Sequence, residues 1–109
     1  MADIMLYRKT GDWSYRIINP DSEKAWDITA NAGSGGLVSN PTYGNTAIAL
    51  THDANLGGYK INIPDNLPAG DYDLLLYNVA ANVASAGDEV AVGKRIGWSG
   101  NMIINLVEL

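Results

Sequence analysis

Few residues in this chain could do acid–base or nucleophilic work. The single histidine, His52, precedes Asp53 at the end of a predicted strand. Strand neighbours point to opposite faces, so that carboxylate is badly placed to orient the imidazole. Ser14, Ser22, Ser34, Ser39, Ser85 and Ser99 fall in predicted turns or strand ends, and none sits in a strand–turn–helix elbow. Asp71 and Asp73 share one face of a strand, with carboxylates roughly 7 Å apart. That spacing suits a paired acid and base, or a calcium site completed by Asp65. The plainer reading makes them the solvent face of a strand whose other face, Tyr72, Leu74 and Leu76, is core. Asp21, Glu23 and Asp27 are spaced as turn-solvating acids. The run Ala32-Gly33-Ser34-Gly35-Gly36 has no Lys-Ser or Lys-Thr after it and opens no helix, which argues against a phosphate cradle. No catalytic constellation and no cofactor follow from these residues.

The elements that would position such groups are strands. Gly, Pro, Asn and Asp punctuate the chain every eight to twelve residues or so, the rhythm of an all-β sandwich or barrel. Strands are expected at 4–9, 13–19, 24–28, 45–52, 59–63, 71–79, 89–98 and 101–109, about eight in all. Tyr15 and Ile17 lie on one face of the second, Arg16 and Ile18 on the other. Asn19-Pro20-Asp21-Ser22 is a turn whose Asn and Asp side chains bond back to the chain. Residues 30–42 read as a loop, and 79–86 as a loop with at most a helical turn. The fold expected is one antiparallel β-sandwich over residues 1–109, immunoglobulin-like or jelly-roll in its strand order.

With no phenylalanine, three tryptophans and six tyrosines must supply much of the core. Trp26 and Trp98 fall on the apolar side of their strands and read as core. Trp13 and Tyr43, in or beside loops, are the better candidates for a binding surface. The chain has 109 residues and a formal charge of -5. Its seven Lys and Arg are scattered rather than clustered, which argues against nucleic acid. No apolar run is long enough to span a bilayer, and residues 1–9 do not form a secretory signal. Without cysteine there is neither disulfide nor thiolate metal site. The expectation is a protein made and assembled in a cytoplasm.

Two predicted strands are apolar on both faces. In 101–109, Met102, Ile104 and Leu106 share one face, while Ile103 and Val107 share the other with Asn105. Leu74-Leu75-Leu76-Tyr77 is similar. Strands buried on both sides normally need a covering layer, and this chain has no helices to supply one. Another subunit is the economical cover; a few scattered exposed apolar residues are the ordinary alternative.

Residues 57–77 run from an alternating strand through a proline-marked corner, Pro64 to Pro68, into Ala69-Gly70-Asp71-Tyr72 and an apolar strand. This resembles the corner of immunoglobulin-like sandwiches, which implies that Tyr72 turns inward and bonds its hydroxyl to the corner backbone. Together with the Gly-bracketed strand ending Trp98-Ser99-Gly100, it is similar to small virion structural proteins of tailed bacteriophages. The resemblance implies capsid decoration or cementing, or a part of the neck, tail or baseplate, in a virion assembled in the host cytoplasm. It implies homo-oligomers and contact with the major capsid protein or other virion proteins, without nucleic acid or membrane. The contact residues expected on that basis are Met5, Tyr7, Ile103 and Val107, with Trp13 and Tyr43 at loop tips. The rival reading is a carbohydrate- or receptor-binding module of a tail or fibre, using the same aromatics as platforms and the Asp71–Asp73 face for calcium.

Overall fold

Strict alternation makes residues 58–63 a strand with one buried face: Tyr59, Ile61 and Ile63 are inside, Lys60 and Asn62 outside. The same rule organises the rest of the computed structural model, which describes residues 2–79 and 84–109. In chain order the strands are β1 (Ala2–Leu6), β2 (Trp13–Asn19), β3 (Lys24–Asp27), β4 (Gly36–Val38), β5 (Ile48–Ala49), β6 (His52–Asp53), β7 (Gly58–Ile63), β8 (Gly70–Asn78), β9 (Val92–Trp98) and β10 (Ile103–Glu108). A 3-10 turn, Asn31–Gly33, precedes β4, and a single helical turn, α1 (Tyr43–Thr46), precedes β5. The strands form two antiparallel sheets. The seven-stranded sheet runs β10-β9-β8-β2-β3-β4, with β5 also on β2; the three-stranded sheet runs β1-β7-β6.

The inner faces meet in one core. Ile4, Leu6, Tyr59, Ile61 and Ile63 from the small sheet pack on Trp13, Tyr15, Ile17, Trp26, Tyr72, Leu74, Leu76, Ile96 and Trp98 from the large one. The all-β sandwich is thus the architecture, and Trp26 and Trp98 are core as expected. The corner is also as the resemblance implied: Tyr72 is buried and its hydroxyl donates to the Pro68 carbonyl at 2.6 Å. Trp98 ties the same corner down, its Nε1 donating to the Leu67 carbonyl at 2.8 Å. At the β2–β3 turn the Ser22 N–H donates to Asn19 Oδ1.

Several boundaries differ from expectation. The stretch 30–42 contains β4, because its glycines have a neighbour to lie on: Gly35, with φ +91°, sits where a Cβ would overlap the Trp26 ring. This loop is therefore a lid on Trp26. The strand expected at 45–52 breaks into α1, β5 and β6. The Thr46 hydroxyl donates to the Thr42 carbonyl and the Ala47 N–H to the Tyr43 carbonyl, closing a turn where alternation predicted extension. The first strand ends at Leu6, and the last two are shorter than expected. Trp13 is not a loop-tip aromatic. It opens β2 facing inward, buried, with its Nε1 donating to the Thr10 carbonyl. Residues 80–83, half of the loop expected at 79–86, lie outside the described residues.

Candidate functional site

The most unusual surface is β10, the outer strand of the large sheet. A tight turn fixes its start. Ser99 Oγ accepts the Asn101 and Met102 N–H groups, and the Ser99 N–H donates to the Met102 carbonyl. Ile103 then pairs with Trp98, but Asn105 pairs with Gly97, so β10 carries one extra residue at that point. This bulge changes which side chains share a face. Ile103, opposite the buried Trp98, points into the core and is half-buried. Val107, opposite Arg95, points outward and is 50% exposed. The expectation that Ile103 and Val107 share one contact face is therefore corrected. Uninterrupted alternation would have joined them, but the inserted residue separates them. Val107 stays on the surface, and Ile103 is largely spent on the molecule's own core.

Around Val107 the strand is apolar almost throughout. Ile104 is 66% exposed, Leu106 48%, Leu109 62% and Met102, in the turn, 57%. Ile104 and Leu109 lie over Gly97 and Gly93 of β9, where a Cβ would meet them at 3.3 and 3.2 Å. The outer face is thus flat on the β9 side and greasy on the β10 side. Leu106 lies opposite Ile96 and faces inward, yet stays half open and outside the core cluster. Glu108, the acid of this strand, is ion-paired with Lys94 across the ladder. The Leu109 N–H donates to the Gly93 carbonyl, which makes Asn105, Val107 and Leu109, beyond the bulge, the residues hydrogen-bonded to β9. By the same alternation Leu106 and Glu108 direct their N–H and C=O groups away from the sheet.

The middle of that outer face, by contrast, is covered by the chain itself. Tyr77, Ala47 and Ala84 form a second cluster, with Leu75, Val79 and Tyr43 packed on it. Beneath them Arg16 is buried, its guanidinium carbon 4.1 Å from the Tyr43 ring centroid and its Nε donating to Thr46 Oγ1 at 3.0 Å. Burial pushes the Tyr77 hydroxyl above its ordinary pKa, against the pull of Arg16. This corrects two expectations. Tyr43 is a half-buried member of α1 engaged with Arg16 and Tyr77, not a loop tip, and the second face of Leu75 and Tyr77 needs no other subunit. Ser14 lies on this side too. Its buried hydroxyl has no hydrogen-bond partner among the described residues.

The remaining candidates are dispersed. Met5 is half-buried and pairs with Lys60 on the far side of the small sheet, and Tyr7 beyond it is 66% exposed. His52 is exposed against Tyr59, while Asp53 Oδ1 accepts the Asn55 and Leu56 N–H groups of the following turn. Asp71 and Asp73 do share the outer face of β8. Asp73, however, is held by Arg95 through two bonds of 2.7 and 3.1 Å, which also raise the guanidinium's pKa. Among the described residues no group of three or more His, Asp or Glu could hold a metal, and Asp65 does not join Asp71 and Asp73 in one. A cleft of about 210 Å³ opens between β2, β5 and β7, lined by Tyr15, Ile48, Leu50, Thr51, Lys60 and Asn62. There the Tyr15 hydroxyl donates to the Asn62 carbonyl, and burial pushes its pKa up to about 12. Comparison with protein families, with curated proteins and with solved structures finds no match to this chain.

Proposed function

We propose that this chain is an adhesive structural protein of a virion, of the capsid decoration or cement type, and that it works by surface burial rather than by catalysis. The observation that carries the reading is the uncovered apolar strand β10, held rigidly by its turn and its bulge. An edge of this kind is normally blunted by lysine, proline, inward charge or a bulge. Here Ile103-Ile104-Asn105-Leu106-Val107 has no lysine, proline or charge, its bulge sits only at its start, and the following acid, Glu108, is neutralised by Lys94. A partner strand added to β10 would satisfy the outward backbone groups and flank its apolar side chains on both faces. Repetition by particle symmetry turns such a modest contact into a strong hold. The resemblance of residues 57–77 and 92–100 to small phage virion proteins supports the choice of particle. The glycan-binding alternative loses support, because Trp13 is buried and Asp73 is already paired.

Mass spectrometry of purified particles from cells that carry the gene tests the reading. Peptides of this chain at hundreds of copies per particle support it. Absence from the particles overturns it, and a dozen copies or fewer overturns the capsid placement in favour of neck or tail.

A further inference from the structure

We infer that β10 pairs with β10 of a second copy, antiparallel about a two-fold axis at Leu106, joining two seven-stranded sheets into one. This rests on the adhesive reading above and names its first partner. Four observations point to a second copy. The strand is the terminal member of its sheet, and the outward backbone groups of Leu106 and Glu108 have no partner among the described residues. Antiparallel pairing centred on Leu106 sets the Leu106 groups of the two copies against each other and Glu108 opposite Ile104 of the other copy, with Asn105 opposite Val107 on the outer face.

Charge also permits self-pairing. The two Glu108 carboxylates fall two residues on either side of the axis, about 13 Å apart along the strands. Each is already paired with its own Lys94, so no like charges are opposed. Area is the third point. Met102, Ile104, Leu106, Val107 and Leu109 are each about half exposed or more. Together they present on the order of 500 Å² of apolar surface, so two copies offer about 1,000 Å², near the lower limit of specific interfaces. Finally, the bulge puts Ile104 and Val107 on one side and Leu106 on the other, so a neighbouring strand meets apolar side chains on both faces. The opposite edge, β4, offers Gly36-Leu37-Val38, whose side chains are already half-buried, and is too short to match it.

Sedimentation velocity on the full chain from about 1 to 200 µM tests this, with half-association expected in the micromolar range for an interface of this size. Each copy carries a charge of -5, so raising the salt should tighten association by weakening mutual repulsion. Ile104→Lys and Leu106→Lys should each weaken the dimer at least ten-fold, about 1.4 kcal/mol, with unchanged circular dichroism. Leu56→Lys, at an exposed apolar residue in the β6–β7 turn, should leave it intact. In the dimer the Leu106 and Glu108 amides should become protected from hydrogen exchange. A monomer throughout the range, a dimer indifferent to both lysine variants, or open-ended polymers would each overturn the two-fold pairing. The particle measurement is independent: copies found in particles while the isolated chain stays monomeric would leave the adhesive role standing and assign β10 to a shell strand.

Discussion

Replacing Tyr72 by Phe removes one hydroxyl, which bonds the Pro68 carbonyl and also meets the Asn19 side chain, from the corner that aligns β8 with the loop before it. The ring is 1% exposed and stays in place in the variant; only the hydroxyl that donates to the Pro68 carbonyl at 2.6 Å is removed. A net intramolecular hydrogen bond contributes about 0.5–1.5 kcal/mol, and the Pro68 carbonyl, at an exposed residue, can recover water. The expected loss is therefore about 1 kcal/mol, or roughly 4 °C in Tm for a chain of this size. Urea unfolding followed by tryptophan fluorescence should show a lower midpoint with an unchanged slope. Tyr7→Phe, at an exposed position, should move nothing. A Tyr72→Phe midpoint equal to that of the parent would refute the claim that this bond holds the corner. A loss of about 3 kcal/mol or more would show that the ring itself had moved, as in a large-to-small core change.

Other outcomes follow from buried groups. Tyr15 has its folded pKa raised to about 12, so the stability that depends on its protonated form is intact below pH 10 and is lost as pH climbs toward 12. The loss is on the order of 3 kcal/mol, and Tyr15→Phe should flatten that alkaline decline in urea melts, with the phenolate absorbance at high pH losing its latest-titrating component. Ser14→Ala removes a buried hydroxyl without a partner among the described residues and should leave stability unchanged or raise it by up to about 1 kcal/mol in the same assay. Asp27 is held below its ordinary pKa by the Thr29 hydroxyl and then by the Thr29 N–H. Its contribution is present above the ordinary carboxylate range and is lost as pH falls through the folded value, so Thr29→Ala should start acid unfolding at a higher pH.

What the sequence made legible was whatever period-two alternation and turn chemistry control. The inward faces of β2, β7 and β8, the Asn19 turn and the burial of Trp26 and Trp98 all follow from side chains that are apolar every second residue. The misplaced elements share a cause: tertiary contacts supply what local pattern lacks. Gly35 is ordered by Trp26, and α1 is closed by the Thr46 and Ala47 bonds and held against Arg16. Trp13 looked exposed because it follows Thr10-Gly11-Asp12, yet it faces the core from the first position of β2. The edge itself was visible as a strand apolar on both faces, but the residue inserted beside Gly97 was not. A bulge has no sidedness in the sequence, and it moved Ile103 inward while leaving Ile104, Leu106, Val107 and Leu109 exposed.

Because the chain has no cysteine, one introduced thiol reports on the edge alone. Ile104→Cys and, separately, Leu56→Cys can be placed in particles and in the dilute isolated chain, and their alkylation rates compared. The account predicts similar rates for both in the isolated chain, and at least ten-fold protection of the position-104 thiol alone in particles. Equal reactivity of the two thiols in particles would show the β10 edge facing water where it should be buried, and would contradict the account.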